Sequence, residues 1–134
     1  MDAAQALADL TEISSQIQAA VILDGDGSIV ASTLDDSRAR ELAEATQELL
    51  AKVRTSAGSD RELAQLEVST AAGSVFLVRD GSRTIAATTG PEPTVGLVFY
   101  DLKSCLRSAA GAEKPAPKPR ARRQKEKAET DAPA

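Results

Sequence analysis

Residues 19–33 read Ala-Ala-Val-Ile-Leu-Asp-Gly-Asp-Gly-Ser-Ile-Val-Ala-Ser-Thr: an apolar run, an acidic glycine turn and a second run. The first run, 19–23, is short and rich in branched side chains, the mark of a buried strand. Gly25 and Gly27 supply the positive φ that a tight reversal needs, and residues 28–33 return as a partner strand. The stretch is therefore a β-hairpin. Asp24, Asp26 and Ser28 also stand at the first, third and fifth positions of a calcium loop. The sixth position, however, is Ile29 where such a loop needs Gly, and the twelfth is Asp35 where it needs a bidentate Glu. A plain turn accounts for these residues.

Upstream, Leu7, Leu10, Ile13 (or Ser14) and Ile17 recur at spacings of three and four, predicting a helix over 3–18 with Asp9, Glu12 and Gln16 in water. Downstream, Asp35 or Asp36 caps a second helix over 37–54 built from strong helix formers. That helix has two adjoining apolar faces. One is Leu42, Ala45, Leu49 and Val53; the other, flatter and made mostly of small residues, is Ala39, Ala43, Thr46 and Leu50. Two faces imply either two neighbours, one of them in a second subunit, or a deeply buried helix.

A polar linker over 55–61 leads to three more predicted strands. Residues 63–70 alternate Leu66 and Val68 with Glu67 and Ser69, as in a strand wet on one face; 75–78 are apolar throughout, as in a central strand; 84–88 pair back after the Asp80-Gly81 turn. Gly90 to Pro93 break the pattern, and Thr94 caps a last helix with the stripe Val95, Val98 (or Leu97), Leu102, Cys105 and Leu106, expected to stop at Ala110-Gly111. The order is α-β-β-α-β-β-β-α. Five mostly antiparallel strands with helices on both faces make a single three-layer α/β domain.

Composition bounds the chemistry. The 134 residues include no His, no Asn and no Trp, so Ser–His, Cys–His and zinc–His sites cannot be assembled. No phosphate-cradling glycine-lysine loop is present, and Ser104 directly follows Lys103 instead of standing at the spacing of a Ser–Lys dyad. Asp24, Asp26, Asp35 and Asp36 serve as turn and cap residues, with no matched acid and base across a pocket. Neither enzyme activity nor a cofactor or metal is expected. The single Cys105 excludes an internal disulfide, fits a reducing compartment, and reads as a small buried hydrophobe. No leader is visible, and no apolar run approaches the roughly 20 residues that span a bilayer, so a cytoplasmic location is expected.

Charge divides the chain. Residues 1–111 carry 9 basic and 16 acidic side chains, whereas 112–134 carry 7 basic and 4 acidic and hold no aliphatic or aromatic core former beyond Ala. A domain over 1–111 and a disordered tail over 112–134 follow, since such a segment cannot offset its ordering entropy. In the tail Lys114, Lys118, Arg120, Arg122, Arg123, Lys125 and Lys127 form a basic cluster. It suits an anionic lipid surface or nucleic acid. An acidic partner would suit it too, but no aromatic residue interleaves the charges, which favours a solvated tail, free or attracted to its own acidic body.

Several segments resemble the roadblock (dynein light chain) family. The hairpin over 20–32 is similar to its opening "v-d-G-l-v-a-s", residues 73–87 to its central strand pair, and Thr94-Val95-Gly96-Leu97-Val98-Phe99-Tyr100-Asp101-Leu102 to its final helix, so the likeness spans about residues 3–110. The resemblance implies a roadblock/profilin-like fold and a homodimer in which second helices pack together and third strands meet edge to edge. It also implies a non-catalytic scaffold or regulator that binds a small Ras-like GTPase or a larger regulatory complex. The residues expected at such an interface are Ala39, Ala43, Thr46, Leu50, Leu66 and Val68. The alternative is an anchoring protein that works through residues 114–127. The basic tail lies outside the family pattern.

Overall fold

The structure is a computed structural model describing residues 2–57 and 65–113. Helix α1 (Ala3–Ile13) begins where the Asp2 carboxylate accepts from the Gln5 N–H at 2.8 Å, and it buries Ala3, Ala6, Leu7 and Leu10. It is shorter than its periodicity predicts. Ser14 turns extended and closes the helix by donating its N–H to the Leu10 carbonyl at 2.9 Å; Ile17, counted into the helical stripe, instead opens a strand. The apolar spacing runs unbroken across the junction, and the β-branched run that follows takes Ile17 into the sheet. Of the alternatives Ile13 and Ser14, Ser14 is buried and Ile13 is 74% exposed.

Strands β1 (Ile17–Leu23) and β2 (Ile29–Ser32) form the predicted hairpin, with Val21 opposite Ser32 and Ile22 opposite Ala31. Helix α2 (Asp36–Ala57) is capped by Asp35, whose Oδ1 accepts from the Arg38 N–H at 2.9 Å. β3 (Gln65–Ser69), β4 (Ser74–Asp80) and β5 (Arg83–Thr89) complete a sheet ordered β2-β1-β5-β4-β3, every neighbouring pair antiparallel. Helix α3 (Val95–Glu113) passes through the expected glycine stop, because one glycine costs a helix about 1 kcal/mol without ending it. Its stripe contains Val98, Leu102, Cys105, Leu106 and Ala109, while Val95 and Leu97 lie at the surface.

Side-chain alternation divides the core in two. Ala20, Ile22, Phe76, Val78, Ile85 and Ala87 point to one face and pack under α1 and α3; Val21, Leu23, Leu77 and Ala86 point to the other and pack under α2. Phe76 and Phe99 meet edge to face at 5.0 Å. The layers are thus α1 and α3, sheet, then α2: the α/β architecture read from the sequence. The linker over 58–64 and the tail from residue 114 onward lie outside the described residues, as does the start of the strand expected over 63–70.

Candidate partner interface

Two half-covered surfaces meet at one end of the sheet. β3 pairs only with β4, so among the described residues its outer row of backbone groups has no strand partner. Leu66 stands opposite Leu77 and Val68 opposite Val75, which puts Leu66 and Val68 on the α2 face of the sheet. Helix α2 packs chiefly over β1, β2 and β5 and leaves that end of the face open. Leu66 and Val75 are half-buried there, and Val68 is 37% exposed.

On the helix, the row expected at an interface is covered by the chain itself. Ala39, Ala43, Thr46 and Leu50 are at most 7% exposed within the single chain, packed toward Val21, Leu23, Leu77 and Ala86. Their shortness lets the helix sit close on its own sheet, which removes them as surface for a partner. Thr46 satisfies its hydroxyl internally by donating to the Leu42 carbonyl at 2.7 Å. The other apolar row, Leu42, Ala45, Leu49 and Val53, forms the flank: Ala45 is exposed and the other three are half-buried. The flank and the open β3 edge both border the second core cluster, against which Leu34, Leu42, Leu49, Leu66 and Val75 pack from its margin. Periodicity finds both rows but does not say which faces the chain's own sheet, and the row of small residues expected at an interface is the one buried within the single chain.

The acidic residues near the hairpin are each occupied with structure. Asp24 pairs with Arg83 at 3.4 Å, and Asp35 caps α2. Asp26 accepts from the Ser28 N–H at 3.0 Å, and hydrogen bonds from Ser28 lower its carboxyl below the ordinary range. Asp36 sits in the first turn of α2, where the helix dipole favours an anion. Burial, with a smaller contribution from the charge of Asp9, pushes the Cys105 thiol up to about 11. That sulfur is a packed hydrophobe with little nucleophilic character at neutral pH. The basic cluster, Lys114 to Lys127, lies outside the described residues.

The sequence profile of the Roadblock/LC7 domain matches residues 4–89, more than half of the chain. The chain belongs to the Roadblock/LC7 family. Solved structures share this Roadblock/LC7 architecture. A Roadblock/LC7 domain from Streptomyces avermitilis superposes with a TM-score of 0.75 at 19% identity, covering 84% of this chain and 98% of that one. MglB from Myxococcus xanthus gives 0.67 at 16% identity, covering 83% and 87%. A profilin solved in a LokiProfilin2/rabbit actin complex gives 0.55 at 18% identity, covering 79% and 94%. At these identities the likeness is one of fold, and it joins the Roadblock/LC7 domain to the profilin-like architecture. Among curated protein sequences none matches the chain. Among the described residues no helix is long and apolar enough to cross a membrane.

Proposed function

We propose that the protein is a non-catalytic homodimeric scaffold of the cytoplasm that docks a small Ras-like GTPase or a larger regulatory assembly. The observation carrying this reading is the β3 edge, with Leu66 and Val68 beside it and the α2 flank Leu42, Ala45, Leu49 and Val53 adjoining. An unpaired edge beside half-buried apolar side chains is a template for another strand unless something covers it. A second copy related by a two-fold axis covers it with the same residues, pairing β3 to β3 and flank to flank. One continuous sheet across two copies then presents a broad rigid surface to a partner. Membership of the Roadblock/LC7 family supports the reading, as does a residue inventory without His or a phosphate cradle. The chain supplies surface, and the chemistry belongs to the partner.

Light scattering of the full chain at micromolar concentration is expected to give the mass of two copies. Val68→Lys places a charge at the strand edge and Leu49→Glu one on the flank; each is expected to give single copies with an unchanged circular dichroism spectrum. A wild-type chain that runs as one copy, or variants that leave the mass unaltered, would remove the dimer. Calorimetry against Ras-like GTPases loaded with GDP or a non-hydrolysable GTP analogue then tests the partner. Binding that differs between the two nucleotide states is the expected result, and no binding in either state would remove the GTPase from the proposal.

A further inference from the structure

On the side of the sheet opposite α2, a groove of about 310 Å³ runs between α1 and α3, lined by Asp9, Leu10, Ile13, Tyr100, Asp101 and Ser104 among others. Asp101 determines what it takes. This residue is 9% exposed, and among the described residues its carboxylate has no hydrogen bond and no ion pair. Its oxygens are not among the sealed polar atoms of the described residues, so they open on the groove, where a cation with N–H donors can reach them. Asp9, across the groove, accepts one hydrogen bond, from Gln5 Nε2 at 3.0 Å, and its charge is felt at Cys105, one helical turn beyond Asp101. The rim is apolar and exposed, with Ile13 at 74% and Tyr100 at 67%. The site is thus an anionic floor under an aromatic edge, shaped for a guanidinium, whose plane stacks on a ring while its N–H groups reach a carboxylate.

The same chain carries the ligand. No Lys or Arg occurs before Arg38, while seven acids do, so α1 brings no cation of its own. Beyond Glu113 the sequence supplies seven basic side chains within residues 114–127 against the single acid Glu126. The tail also begins in the right place. Asp101 lies twelve residues back along α3 from Glu113, about 18 Å at the helical rise, a distance that about six extended residues cover. Six residues beyond Glu113 is Pro119, so Arg120, Arg122 and Arg123 arrive at the groove. We propose that the tail folds back along α3 and seats one of these arginines against Asp101 and Asp9, with its guanidinium on the Tyr100 ring. Held there, the arginine pairs with the carboxylates that line the groove, and the tail covers the apolar rim.

Tyr100 is the one tyrosine in a chain without tryptophan, so its fluorescence reports on this groove alone. In the full-length protein, acrylamide quenching of Tyr100 is expected to be weak at low salt and to rise in about 0.5 M salt, where the Debye length falls to a few ångströms. Asp101→Asn, and separately the triple variant Arg120→Ala, Arg122→Ala, Arg123→Ala, are expected to show the high-salt quenching already at low salt. The triple variant keeps the test decisive should Asp101→Asn fold poorly, because it leaves both described core clusters unaltered. Carbodiimide cross-linking of mixed isotope-labelled and unlabelled copies gives the geometry: Lys118 or Lys125 joined to Asp9 or Asp101 within one copy. Links spread evenly over surface carboxylates, links only between differently labelled copies, or quenching that neither variant changes would overturn the proposal. The first and last of these results would return the tail to an outside anionic surface.

Discussion

Gly27 shows how one residue ties the hairpin to the helix above it. It is held at φ +89°, and a methyl group added there would run into the Gln47 side-chain amide. Gly27→Ala is therefore expected to cost about 1–2 kcal/mol, read as a lower urea midpoint at unchanged slope. Cys105 makes a prediction about pH. Its thiol, 9.0 when unperturbed, is raised to about 11 by burial first and by Asp9 second, so the fold favours the protonated form. A group whose folded value is raised contributes its full stability below pH 9.0 and loses it as pH rises toward about 11. Between those values the fall in stability should be shallower for Cys105→Ala than for the wild type, measured by urea titration. The burial of Cys105 was legible from Leu102 and Leu106 on the same stripe. The place of Asp101 was not: only the packing of α1 beside α3 makes the groove that this mostly covered residue lines.

At the scale of the element, α2 carries the most informative contrast. Leu50 faces the sheet and Leu49 the flank, one residue apart. Leu50→Ala is expected to destabilise by about 2–5 kcal/mol through the cavity it leaves, whereas Leu49→Glu is expected to act mainly on association. Chemical denaturation beside light scattering separates the two. Asp35→Ala removes the cap and should cost about 1 kcal/mol. The eight elements and their order were readable because the hydrophobic period changes from near 3.6 to 2 and back, with Gly, Pro or Asp at the junctions. Their ends were less so. α1 stops at Ile13 because Ser14 becomes extended, although the spacing of apolar residues continues to Ile17. The expected stop at Gly111 was a matter of propensity alone; the next residue that forbids a helix is Pro115. Which row of α2 faces inward depends on the depth of the sheet below it, a quantity no single helix records.

For the whole molecule, the strand order matters more than any one contact. β1 lies inside the sheet and is mostly buried, yet of its two neighbours only β2 is close in sequence. The other is β5, with Ile22 opposite Ile85 and Val21 opposite Ala86, so the middle of the sheet joins the two ends of the domain. Pairings this distant in sequence slow folding, and refolding from urea is expected on the millisecond-to-second scale typical of such topologies, checked by stopped-flow mixing. The same geometry bears on synthesis. As the chain leaves the ribosome, α1, the hairpin and α2 are all made before the strand that closes over β1 exists. Until residue 89 emerges, Val21, Ile22 and Leu23 have a partner on one side only, and the nascent chain presents an open apolar edge to every other chain nearby. Holding that edge clear during translation is a task for chaperones, set by the place of β5 in the sheet.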